Sequence, residues 1–130
     1  MDPVVHFGLP YDDRVRMAEF YQSAFGWRTE MLGAEMGYYV VATTTETGES
    51  GPTRPGAING GFYSKDAGGP TPCPAVVIAV ADIGESVKKV IDAGGQVLGE
   101  PAEIPGVGTS VSFVDTEGNR LNMLQPIPRN

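Results

Sequence analysis

The stretch DIGESVKKVIDAGG, Asp82 to Gly95, has a counterpart in DRVRMAEFYQSAFG, Asp13 to Gly26. In both, a glycine follows an aspartate by 13 residues. The carboxylate can accept bonds from the free N–H groups at a helix start. The glycine can take the left-handed conformation that ends a helix. Between these ends, apolar residues recur at helical spacing: Met17, Phe20, Tyr21, Ala24 and Phe25 in the first stretch, and Ile83, Val87, Val90 and Ile91 in the second. Asp82 and Glu85 have the spacing of a capping box. The spacing therefore predicts two helices in equivalent settings.

Working outward, each helix lies between one strand and three more. PVVHFGLP precedes the first helix and AVVIAVADI the second. WRTEML, MGYYVVATT and AINGGFY follow the first, the last weakened by Gly60 and Gly61. QVLGEPAEI, TSVSFVD and RLNMLQ follow the second, with TEGN as a tight turn in which Gly118 supplies a positive φ. The polar run TETGESGPTRPG, residues 45–56, reads as a loop, and SKDAGGPTPCP as a linker. Gly37 matches Gly108, and Gly56 matches Gly118. Element order and glycine positions thus repeat while side-chain identity does not. The expected fold class is α+β. One domain over 1–130 consists of βαβββ modules at 1–64 and 74–126, joined by a linker at 65–73. Neither half has enough apolar residues to close alone, so two curved mixed sheets should share a concave cavity.

The totals narrow the function. The chain has 130 residues, 41% hydrophobic and 19% charged, with 18 Gly and 11 Pro. That is the composition of a globular domain rich in turns. A net charge of −7 repels phosphate backbones and anionic lipid, so neither nucleic acid nor a membrane is an expected partner. The longest apolar run, Ala75 to Ala81, is too short to span a bilayer. The start MDPVVHF lacks a signal-peptide pattern, and the expected location is cytoplasmic. The single cysteine, Cys73, has no internal disulfide partner and nothing beside it that would activate a thiolate. There is no P-loop and no dinucleotide fingerprint.

The stretches VVHFGLPYDD, EFYQSAFGW, GAINGGFY, VVIAVADIGESVKKVIDAGGQV and IPGVGTSVSFVDTEGNRLNMLQ resemble the vicinal oxygen chelate superfamily, also called the glyoxalase / bleomycin-resistance / dioxygenase superfamily. PGVG with DTEGN most resembles a poorly characterised glyoxalase-like branch, in which proline usually stands where this chain has Thr116. The resemblance covers nearly the whole chain and implies the paired βαβββ fold. It does not choose among isomerases, epimerases, dioxygenases, thiol transferases and drug-sequestering proteins.

Enzymes of that superfamily place a metal ligand on the first and last strand of each module. Carried over through the repeat, those positions are His6, Gly60, Ala75 and Asn122. His6 is the only histidine, and a lone histidine is ordinarily a satisfied core or surface residue. Catalytic divalent sites use three ligands from His, Glu, Asp or Cys. Here one imidazole and one amide stand at four positions, and a one-residue shift to Asn59 or Gly61 does not help. No metal and no cofactor are therefore expected. From strand alternation, the cavity lining should include His6, Gly60, Phe62, Ala75, Val77 and Asn122, with Tyr38 or Tyr39 reaching in. Neighbours such as Tyr38, Tyr39, Trp27 or Phe113 could instead fill that space. The expected function is binding of a small molecule, cationic or amphipathic, with His6, Tyr38, Gly60, Phe62, Ala75, Val77 and Asn122 as ligand contacts. The resemblance implies a homodimer. The alternatives are a lyase, isomerase or dioxygenase-type enzyme with His6 as acid/base or metal ligand, and a regulatory domain using its sheets as an interface.

Overall fold

The computed structural model describes residues 1–68 and 71–128. In chain order the elements are β1 (Val4–Tyr11), α1 (Arg14–Phe25), β2 (Arg28–Met31), a 3-10 turn (Ala34–Met36), β3 (Val40–Thr43), β4 (Thr47–Gly48), β5 (Gly51–Pro52), β6 (Asn59–Ser64), β7 (Ala75–Ala79), α2 (Ile83–Asp92), β8 (Gln96–Ile104), β9 (Gly108–Val114) and β10 (Arg120–Pro126). The chain falls into two compact units. One is His6–Pro74, and the other combines Met1–Val5 with the chain from Ala75 onward. The linker expected at 65–73 contains residues 69 and 70, which lie outside the described residues.

Within His6–Pro74 the sheet order is β2-β3-β6-β1. β1 and β6 run parallel, and the other neighbours run antiparallel. Within the other unit the order is β8-β9-β10-β7, again with one parallel pair, β7 with β10. The two orders correspond strand for strand, so the repeat in element order is a repeat of topology. This is the α+β, βαβββ arrangement expected from the sequence.

Three of the four helix-end signals act as the chemistry requires; at the fourth, α2 stops at Asp92, and Gly94 (φ 100°) rather than Gly95 takes the left-handed conformation. Asp13 accepts from the Arg16 N–H at 3.0 Å, and Asp82 accepts from the Glu85 N–H at 3.1 Å. Gly26 ends α1 at φ 72°, and its N–H donates to the Gln22 carbonyl. Under α1, Tyr11, Val40, Ala42 and Phe62 are buried, with Phe7, Leu9, Met17, Tyr21 and Trp27 packed against them. Under α2, the corresponding core is Val80, Ile83, Val111, Phe113 and Met123. Ile91 was expected on the apolar stripe of α2 but is exposed. Phe20 and Phe25 of α1 are exposed too: their rings meet the edge and flank of Tyr21, which itself faces the core.

The long strand expected over MGYYVVATT is a short one. A 3-10 turn ends at Gly37 (φ 63°), Tyr38 follows at φ 57°, and the strand starts only at Val40. Two successive residues in the left-handed region cannot continue a pleat. The 45–56 loop contains the small β4–β5 hairpin. Asn59 ties it down, accepting from the Thr44 and Thr45 N–H groups and donating to Thr47 Oγ1.

Candidate functional site

In the unit His6–Pro74, register decides which side chains share a face. His6 pairs with Asn59, and Gly8 pairs with Gly61. Across the next pairing, Gly61 lies beside Val41. His6, Gly8, Asn59, Gly61 and Val41 therefore point away from α1. Gly60 and Phe62 point toward it. Phe62 is 0% exposed in the core, and a Cβ on Gly60 would run into the Phe7 ring. Both residues were expected beside His6. The strand runs one residue out of step with that expectation, which puts Gly61 on the His6 face.

The hydroxyl of Tyr39 lies 3.0 Å from His6 Nε2. The Tyr39 ring covers Gly61 so closely that a Cβ there would coincide with the phenol. Burial lowers the His6 pKa from its ordinary 6.5 and pushes that of Tyr39 up to about 12. Both groups are therefore neutral at pH 7. The imidazole tautomer with its proton on Nδ1 lets the Tyr39 hydroxyl donate to Nε2. Tyr38 points elsewhere: it is 51% exposed, and its ring stacks under the Arg14 guanidinium at 5.3 Å. Either of these two tyrosines could have been the inward one by alternation, and the turn at Tyr38 selects Tyr39. Beside Gly8 stands the ring of Tyr63, 3.7 Å from where a Cβ would be. The Tyr63 hydroxyl donates to the Cys73 carbonyl and accepts from the Cys73 N–H, holding the segment that follows β6.

In the other unit, Asn122 pairs with Val77 and Leu124 with Ala79. Met123 and Ile78, one step along, pack into the α2 core. Ala75, Val77, Ala79, Asn122 and Leu124 thus share the face opposite α2, as strand alternation predicts. Asn122 Oδ1 accepts a short hydrogen bond from Ser112 Oγ. A cavity of about 140 Å³ in this unit lies on the α2 side, walled by Val80, Phe113 and Met123, and so belongs to the helix–sheet packing rather than to the Asn122 face.

The donor set does not suit a chelated metal. Of the four positions carried over from the superfamily, Gly60 and Ala75 have no donor, and the Asn122 oxygen is engaged by Ser112. Among the described residues, no three His, Cys, Asp or Glu side chains gather to hold a metal ion. Nor, among them, is any helix long and apolar enough to cross a membrane.

No family model matches the chain. A Mycobacterium bovis protein named "Putative glyoxylase CFP32" is 41% identical over 54 residues, which is 42% of this chain and 21% of that protein. The chain thus matches about a fifth of the length of its curated relative. Among solved structures, a methylmalonyl-CoA epimerase in complex with methylmalonyl-CoA superposes with a TM-score of 0.68 at 18% identity, over 97% of this chain and 95% of that one. The Mycobacterium tuberculosis methylmalonyl-CoA epimerase gives 0.66 at 14% identity, over 96% and 88%. A hypothetical protein from Bacillus halodurans gives 0.68 at 12% identity, over 99% and 97%. These structural likenesses show that the chain shares the fold of those proteins, in keeping with its resemblance in sequence to the vicinal oxygen chelate superfamily.

Proposed function

We propose that this protein binds a small organic molecule on the sheet face that carries His6, without the chelated metal of its superfamily. The observation that carries the reading is the 3.0 Å contact between His6 Nε2 and the Tyr39 hydroxyl over a glycine floor. Neutral donors and acceptors beside glycine backbone that already lies against an aromatic ring suit a planar molecule with few polar groups. The −7 charge favours a neutral or cationic ligand over an acyl-CoA. Asn122, with Ala75 and Val77 around it, is the candidate contact face of the other unit. The superfamily resemblance adds a homodimer and kinship with drug-sequestering members.

Elemental mass spectrometry on protein purified without chelator tests the metal-free part. We expect no stoichiometric divalent metal in the wild type or in His6→Ala. Near-stoichiometric metal that disappears in His6→Ala overturns it. A thermal-shift screen of neutral and cationic aromatic compounds tests the binding part. Hits that stabilise the wild type and lose their effect in His6→Ala are expected, and the absence of any hit counts against it.

The neutral imidazole also supports a second reading, an isomerase or lyase in which His6 takes and returns a proton. Turnover of methylmalonyl-CoA, the ligand of the epimerase of similar fold, would favour that reading if His6→Ala abolished it.

A further inference from the structure

We infer that Tyr39 is a displaceable plug in this binding face, and that the ligand it keeps out is a phenol: a flat arene carrying a hydroxyl. The inference rests on the reading that small molecules bind beside His6. It goes further by naming their class.

Gly8 and Gly61 are register partners on parallel neighbouring strands. Neither has a side chain of its own, and two rings use the space: Tyr39 lies over Gly61 and Tyr63 stands beside Gly8. No positive φ is recorded at either position, so backbone conformation does not require glycine there. What requires it at Gly61 is the Tyr39 ring, because any Cβ would collide with it. Gly61 therefore leaves room for the hydroxyl end of an aromatic ring against the strand, with that hydroxyl on His6 Nε2. Tyr39 meets this description from inside the molecule. Its polar attachment is single: the ring lies outside the α1 core, the residue keeps some exposed surface, and its one hydrogen bond at the hydroxyl goes to His6. Its backbone is fixed independently of the ring. The Tyr39 carbonyl accepts from the Leu32 N–H, and the Tyr38 carbonyl accepts from the Tyr11 hydroxyl. Side-chain rotation alone can open the slot while the turn stays in place. A phenol from solution then finds the same glycine floor and the same acceptor.

The probe is phenol, with toluene as the ring without a hydroxyl. The readout is the imidazole proton signal in the NMR spectrum, unambiguous because His6 is the only histidine. In Tyr39→Ala, phenol should shift that signal saturably and toluene should not. In the wild type the same shift should appear with apparent affinity weaker on the order of tenfold, since only the fraction with the plug displaced is competent. Tyr39→Phe keeps the ring and its packing but loses the bond to His6. Its phenol affinity should fall between the other two, which keeps the test valid if Tyr39→Ala folds poorly. An unmoved His6 signal in both variants overturns the slot. An equal shift with toluene overturns the phenol class. A shift in the variants but none in the wild type at saturating phenol makes Tyr39 a fixed structural residue and overturns the plug. Failure here, alongside thermal-shift hits that depend on His6 but lack a hydroxyarene, leaves the broader binding reading standing.

Discussion

The phenol of Tyr39 occupies the space where a side chain on Gly61 would be, and its hydroxyl reaches His6 because that side chain is missing. Gly61→Ala must therefore eject the ring or bend the strand. Overpacking of this kind costs about 1–3 kcal/mol. Chemical denaturation should show a loss of that size. The His6 imidazole resonance should move to the position it has in Tyr39→Ala. An Ala variant with wild-type stability and an unmoved resonance would mean that the ring does not cover Gly61.

His6 gives stability a defined pH dependence. Burial depresses its pKa in the folded protein below the ordinary 6.5. The unfolded chain therefore binds more protons than the folded one once pH falls below that value. The stability tied to neutral His6 is complete above 6.5 and is lost as pH falls toward the folded pKa. The melting temperature should decline more steeply on going from about pH 7.5 to about pH 5 in the wild type than in His6→Gln, which cannot titrate there. Parallel curves would remove the buried neutral histidine from the account.

Phe62 and Tyr38 were both expected to touch ligand, and the structure assigns them other surroundings. Phe62 has no exposed surface and stands against Tyr21 and Trp27 beneath α1. Phe62→Ala should cost about 3–5 kcal/mol through the cavity it leaves. Tyr38 is half exposed and loses only its stacking under Arg14 on truncation, so Tyr38→Ala should cost under about 1 kcal/mol. Urea unfolding of the two variants checks both values. A large loss at Tyr38 or a small one at Phe62 would reverse the assignment of faces.

These cases show which part of the structure could be read from sequence. Helix ends were legible because Asp13, Gly26 and Asp82 act on their own backbone within a few residues. The order of strands was legible because it repeats. The face of a strand was not, because its period is two and an error of one residue inverts it. In the second unit the count from Gly118 put Asn122 on the face of β10 away from α2, where the structure has it. In the first, the same count from Gly56 gave Gly60, where the register with β1 puts Gly61 on the His6 face. AINGGFY offers little to correct this, since two adjacent glycines carry no polarity pattern. Tyr39 was ambiguous for a related reason. Alternation through YY names one inward ring without saying which, and the left-handed residue at Tyr38 that decides it has a distant partner, the Tyr11 hydroxyl, which donates to its carbonyl.

Asn122 provides the corresponding test on the second unit. Its Oδ1 accepts from Ser112 Oγ across the β9–β10 pair, in register, on the face away from α2. That bond leaves the amide N–H groups as the polar feature the side chain can offer a ligand. Asn122→Leu keeps the size, removes the donors and leaves the Ser112 hydroxyl without its acceptor, which should cost about 1 kcal/mol. Asn122→Asp keeps the acceptor for Ser112 and replaces the donors with charge. If the amide donates to a bound molecule, both variants lose the thermal shift given by compounds that stabilise the wild type, and Asn122→Asp does so with its melting temperature nearly unchanged. If Asn122 only braces Ser112, Asn122→Asp keeps the ligand response and Asn122→Leu loses stability alone. The pair of variants thus separates a binding contact from a strand-to-strand clamp by measurements on one residue.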